Sequence, residues 1–107
     1  VYILPTNYVY EGQPISILEA YASGCAVLTT NNGGIKDVFH NRKNGVFMSR
    51  GAITSVQEVK SIIKWSISDI DIIKKYAKNN RNETINNYTR NKYCCSVENA
   101  LINNQVK

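Results

Sequence analysis

At 107 residues, 43% of them hydrophobic and 20% charged, the chain has material for one small domain with a modest core. Thirteen Lys and Arg against eight Asp and Glu give a net charge of +5, and no apolar run reaches the roughly 18 residues of a membrane-spanning helix. Three cysteines and one histidine make neither a disulfide framework nor a metal site of usual spacing, so no metal is expected and a reducing, cytoplasmic compartment fits best.

Val1 to Leu4 is continuously apolar, as in a strand buried on both faces of a parallel sheet. The chain opens inside this run, on Val and not Met, which gives the expectation of a C-terminal piece of a longer protein. Pro5 to Gln13 forms a loop, and the next stretch reads as a helix. Pro14 suits the first helical position and Gly24 a left-handed stop. At about 100° per residue, Ile15, Leu18 and Ala22 form one stripe, and Ile17, Ala20 and Tyr21 carry the apolar surface around most of the circumference. Ser16, Glu19 and Ser23 fall in a wedge of about 60°. The expectation is a helix buried nearly all round, with one polar slot. Either Glu19 reaches water from an edge, or the slot opens on a ligand cleft. In the second case Glu11 stands at the same mouth, and the free N–H groups of the helix start favour an anion such as phosphate. Carboxylates that accept hydroxyl hydrogen bonds, beside amides that bind phosphate, describe a site for a sugar nucleotide.

Ala26 to Thr29 is a second buried strand, and strand, helix, strand in that order predicts a right-handed parallel crossover. Ligands of such sheets bind beyond the carboxyl ends of the strands, where both Glu11 and the loop Thr30 to Gly34 lie. Asn31, Asn32, Gly33 and Gly34 make a turn before a short helix over Ile35 to Phe39. The glycines serve plain turn geometry or close backbone approach to a ligand. Asn41 to Gly45 is a polar turn, and Val46 to Met48 a third strand at the sheet's edge.

From Thr54 the pattern is helical. Thr54 to Gln57 fits a capping box, followed by an apolar stripe of Val56, Val59, Ile63 and Ile67 with Ile62 alongside. Ser68 or Asp69 starts another helix, with Ile70, Ile73 and Ala77 on one side and Ile72 and Tyr76 adjoining. A last helix near Thr89 to Ile102 carries Tyr93, Val97, Ala100 and Leu101. All three stripes read as core. Nine of the thirteen basic residues lie in residues 54–107. This excess is a solvated helix face or an attraction to an anionic membrane surface. Without aromatic platforms or a basic run, nucleic acid is not an expected partner.

The phrase Glu11-Gly12-Gln13-Pro14-Ile15-Ser16-Ile17-Leu18-Glu19-Ala20 resembles the donor-binding motif of retaining glycosyltransferases of family 4, two glutamates separated by seven residues. The likeness is close over about the first 50 residues and general beyond them. It implies an α/β fold: a partial Rossmann-like, three-layer domain, the later part of the C-terminal half of a GT-B enzyme. Residues 1–53 would form the strand–helix–strand core and 54–107 the C-terminal helices. It implies transfer of a sugar from a UDP-, GDP- or similar nucleotide sugar, with retention and no metal, to a glycan or lipid-linked acceptor. Cell-envelope polysaccharide synthesis is the commonest setting, in the cytoplasm or at the inner face of the membrane. By the same resemblance Glu11 is the catalytic glutamate touching donor-sugar hydroxyls, and Glu19 holds the ribose. Gly12, Gln13, Pro14, Ile15 and Ser16 approach the sugar and diphosphate, and Asn31, Gly33 and Gly34 border the cleft. The isolated chain would then be inactive. The rival expectations are a non-catalytic nucleotide- or sugar-binding module and a basic helical interaction domain.

Overall fold

A computed structural model describes residues 1–49 and 55–105. It contains strands β1 (Tyr2–Leu4), β2 (Val27–Thr29) and β3 (Gly45–Phe47), and helices α1 (Ile15–Ala22), α2 (Val56–Ser68), α3 (Ile70–Asn87) and α4 (Arg90–Gln105). A 3₁₀ helix, Gly33–Asp37, stands where the short helix over Ile35 to Phe39 is expected. The strands form one parallel sheet in the order β1-β2-β3, with Tyr2 level with Val27 and Gly45, and Leu4 level with Thr29 and Phe47. The order of apolar runs predicts the parallel strands, and the mixed α/β, Rossmann-like arrangement is the one that the resemblance implies.

Alternation along the strands divides the sheet into two faces. Tyr2, Leu4, Val27 and Phe47 join Ile17, Ala20 and Tyr21 of α1 and Ile35, Val38 and Phe39 in the core. Val38 and Phe39 are buried just beyond the 3₁₀ helix, and the Phe39 and Phe47 rings lie 4.8 Å apart. Ile3, Leu28 and Val46 point the other way. There β2, β3 and α2 enclose an open cavity of about 330 Å³ lined by Leu28, Val46, Met48, Ile62 and Trp65.

The expected burial of β1 on both faces fails, because β1 is an edge strand and Ile3 on its second face remains 41% exposed. In α1 the buried residues are Ile17, Ala20 and Tyr21 alone, and Ile15 is 71% exposed. Only one side of this helix meets the sheet, so the all-round burial expected from its composition does not occur. Pro14 is the N-cap and not the first helical residue. Gly24, at φ +70°, does end the helix in the left-handed conformation.

The expected core stripes of the later helices are also corrected. Val56, Val59, Ile63 and Ile67 of α2 face solvent, while Ile62 and Trp65 line the cavity and Trp65 stacks on Tyr76. Ile70 and Ile72 are exposed, whereas Ile73, Tyr76 and Ala77 are half-buried. All of α4 whose side chains are described is exposed, including Tyr93, Val97, Ala100 and Leu101. Ser55 caps α2 through the Glu58 N–H, one residue later than expected, and Thr54 lies outside the described residues. The Glu58 side chain does not close a capping box. It accepts a hydrogen bond from Ser49. Asp69 caps α3 as expected.

Polar side chains, not apolar ones, fix α3 to the sheet. Asn80 is fully buried, and its Nδ2 donates to the carbonyls of Cys25 and Asn44, both at 2.8 Å. The buried Asn44 donates to Asn80 Oδ1 at 2.7 Å and to Glu83 at 3.0 Å, and its own Oδ1 accepts from the His40 N–H. Arg81 donates to the carbonyl of Ala22 at the end of α1. Every buried polar side-chain atom among the described residues has a partner, which removes the desolvation cost of burying such a cluster.

Candidate functional site

The loop after β1 and the loop after β2 meet at the carboxyl ends of the strands. Thr6 is the junction. Its hydroxyl donates to Glu11 Oε2 at 2.9 Å and accepts from the Tyr8 N–H at 3.2 Å. Its carbonyl accepts from the Thr30 hydroxyl and from Asn32 Nδ2, the latter at 2.6 Å. Thr29 adds a bond from its hydroxyl to the Leu4 carbonyl. Thr29, Thr30 and Asn32 are buried, so the β2 loop is a rigid polar floor on which the Glu11 loop rests.

The two glycines complete this seat. The Gly34 N–H donates to the Glu11 carbonyl at 2.8 Å. A Cβ on Gly33, which has φ +49°, would overlap that same carbonyl oxygen, and a Cβ on Gly34 would come within 2.8 Å of the Gly12 carbonyl. Gly33 adopts the positive φ that the turn reading allows. The backbone does make a close approach there, but to the Glu11–Gly12 backbone.

From this seat the chain runs through Gly12 and Gln13, both exposed, to the buried Pro14 and into α1. No side chain caps the helix start, and Ile17 N–H bonds to the Pro14 carbonyl. The N-terminal turn of α1, with Ser16 half-buried, thus follows the half-buried Glu11 closely in the chain, after the carboxyl end of β1. Glu19 is exposed, and its carboxylate accepts no hydrogen bond from the described residues. Asn31 is exposed, and Gly33 and Gly34 sit against the Glu11 loop. Glu11, Gly12, Gln13, Gly33 and Gly34 are thus brought together, whereas Ile15 opens α1 with its side chain exposed and Glu19 lies a turn further along it.

Sequence reasoning missed Thr6, and it missed the bonds of Thr30 and Asn32 to Thr6 within a loop it had singled out. The only available signal was a run of small hydroxyl and amide side chains at both strand ends, with no periodicity to connect them. Among the described residues no group of three or more His, Cys, Asp or Glu side chains could hold a metal ion. The cavity near α2 holds none of the donor-motif residues.

Residues 1–83 match the model of the family described as glycosyl transferases group 1. The chain belongs to that family, and its α/β core and the Glu11 loop fall within the matched segment. Among curated proteins and among solved structures, no match to the chain is found.

Proposed function

We propose that these residues form the donor-binding part of a retaining, family 4-like transferase of GT-B fold. It would move a sugar from a UDP-, GDP- or similar nucleotide sugar to a glycan or lipid-linked acceptor without a resident metal. Cell-envelope polysaccharide assembly, in the cytoplasm or at the inner face of the membrane, is the proposed setting. No helix among the described residues is long and apolar enough to cross a membrane. The observation that carries the proposal is the Thr6 junction, which holds the Glu11 carboxylate at the strand ends beside the start of α1.

Thr6 occupies one carboxylate oxygen of Glu11 and leaves acceptor capacity for donor-sugar hydroxyls. Glu19, about one turn into α1, offers a second carboxylate to the ribose hydroxyls. The uncapped α1 terminus favours the diphosphate, whose negative charge grows as the bond to the anomeric carbon breaks. The acceptor oxygen takes that bond on the same face, and its proton leaves with the diphosphate.

Calorimetric titration of the full-length protein with a nucleoside diphosphate tests the assignment. Glu19→Ala should weaken binding by about 1–3 kcal/mol, the range for a lost charged hydrogen bond. Glu11→Gln should leave that affinity nearly intact while turnover of the sugar nucleotide falls markedly, since its partner is the reacting half of the donor. Unchanged affinity in Glu19→Ala removes Glu19 from the site. Nucleotide binding without turnover of any donor would make the chain a binding module.

A further inference from the structure

The stretch from Thr6 to Glu11 is closed on the β2 loop at both ends. The Thr6 carbonyl accepts from the Thr30 hydroxyl and from Asn32 Nδ2, and the Glu11 carbonyl accepts from the Gly34 N–H at 2.8 Å. Thr30 and Asn32 are 1% and 2% exposed, so water does not compete for their bonds. All of these bonds end on main-chain oxygens and do not depend on the side chain at position 6 or 11. The Thr6 hydroxyl adds one that does. An amide N–H has no acceptor to offer, so the Tyr8 N–H only donates to Thr6 Oγ1, at 3.2 Å. The single hydroxyl proton goes to Glu11 Oε2 at 2.9 Å. The chain of bonds therefore has one direction, from Tyr8 through Thr6 to the carboxylate, and Glu11 Oε1 receives no bond from the described residues.

We infer that Thr6 is a positioning residue for Glu11: its hydroxyl ties Oε2 in place and so leaves Oε1 as the one oxygen that receives the donor sugar. The inference rests on the donor-site proposal above and adds to it a residue that touches no substrate. A glutamate side chain free to rotate about several torsions must be ordered when it acts, and that ordering is lost from its effect. The bond from Thr6 orders it beforehand. Both partners are half-buried, which shields the bond from water. Thr6 is in turn fixed through its main chain to the buried end of β2, so the carboxylate takes its rigidity from the sheet and not from the loop. A purely structural role is the alternative, since a threonine hydroxyl that accepts from the N–H two residues on also braces a turn. The two roles separate, because a brace supports the whole loop and a positioning residue acts on Glu11 alone.

Steady-state release of nucleoside diphosphate from UDP-glucose, UDP-N-acetylglucosamine and GDP-mannose by the full-length protein tests this. Thr6→Val keeps the shape of the side chain without its hydroxyl, and Thr6→Ser keeps the hydroxyl. Thr6→Ala removes the same hydroxyl without the valine branch and is run beside Thr6→Val, so that a folding failure of one does not decide the result. UDP and GDP titrations and thermal midpoints are measured on the same proteins. On the donor that the wild type uses best, kcat should fall at least about tenfold in Thr6→Val, with KM within about threefold, as for a misplaced reacting group. Thr6→Ser should hold kcat within about threefold of wild type, and nucleoside diphosphate affinity should stay within about twofold in every variant. An undiminished kcat in Thr6→Val, or an equal loss in Thr6→Ser, would overturn the inference and leave the donor site standing. A parallel loss of nucleoside diphosphate affinity and thermal midpoint would make Thr6 a brace of the loop, which also overturns it. A wild-type protein that releases nucleoside diphosphate from none of these donors would remove the donor reading, and the positioning role with it.

Discussion

Gly33 holds the Glu11 loop down by having no side chain. With φ +49° and the Glu11 carbonyl against its α-carbon, it meets two demands that no L-residue meets together. Gly33→Ala should cost at least about 1–2 kcal/mol from the backbone alone, with the overlap added. It should lower turnover more than nucleoside diphosphate affinity, because the displaced residue is Glu11; thermal unfolding and titration together measure this. Tyr21 carries a different constraint. Its buried hydroxyl donates to the Val38 carbonyl at 3.0 Å. Burial above all, then the nearby Glu83 and Tyr88, push its pKa well above the usual phenol value, and Tyr88 is raised by burial and Glu83 as well. A raised phenol pKa means that above about pH 10 the unfolded chain binds fewer protons than the folded one, so stability falls as pH rises. Denaturant midpoints between pH 9 and 11 should therefore decline in the wild type and decline less in Tyr21→Phe. An equal slope would show that Tyr21 does not carry the alkaline loss.

At the scale of elements, the fully buried amide of α3 is that of Asn80. Asn80 joins α3 to Cys25 before β2 and to Asn44 before β3. Asn80→Ala should leave the two carbonyls and Asn44 short of donors and an acceptor, at about 1–3 kcal/mol for each buried group unsatisfied. Asn80→Leu should do no better, since it fills the space without restoring a bond; urea midpoints compare the two. Neither Asn44 nor Asn80 could be picked from the sequence, because 36 residues separate them and no local period links them. The legible features were those set within a few residues. Pro14 and Gly24 marked the ends of α1, short apolar runs marked the three strands, and Asp69 marked the start of α3. The Glu11 phrase pointed to the family that residues 1–83 match. The helical wheel of α2 failed for a physical reason. It found an apolar stripe correctly, but a wheel records periodicity and not which side a sheet covers. Here the sheet side took Ile62, Trp65 and Glu58, and left Val59 and Ile63 outside.

At the scale of the whole molecule, the apolar surface is incompletely covered. The radius of gyration is 16.1 Å, against about 13 Å for a compact domain of this length, and the extents are 56 × 31 × 17 Å. Helix α4 accounts for part of this, since none of its described side chains is buried. On α2, Val56, Val59, Ile63 and Ile67 fall within about 80° of one another, and three of the four are more than half exposed. Lys60 and Lys64 stand at one border of that stripe. At the sheet, no strand among the described residues pairs with the outer edge of β1, and Ile3 on its second face is exposed. An apolar helical stripe and an unpaired strand edge both favour association with another chain. Residues 1–107 prepared alone should therefore self-associate at micromolar concentration, through the α2 stripe first, because it is the larger apolar surface. Ile63→Lys/Ile67→Lys places charge on that stripe without touching the core. It should shift the light-scattering mass toward the monomer, with fold stability changed by no more than about 0.5 kcal/mol per site. If the double variant associates as strongly as the parent, the β1 edge and not α2 is the contact, and Ile3→Lys should then be the change that disperses it. A parent chain that stays monomeric and unfolds in one sharp transition would show that these open surfaces do not attract one another at all.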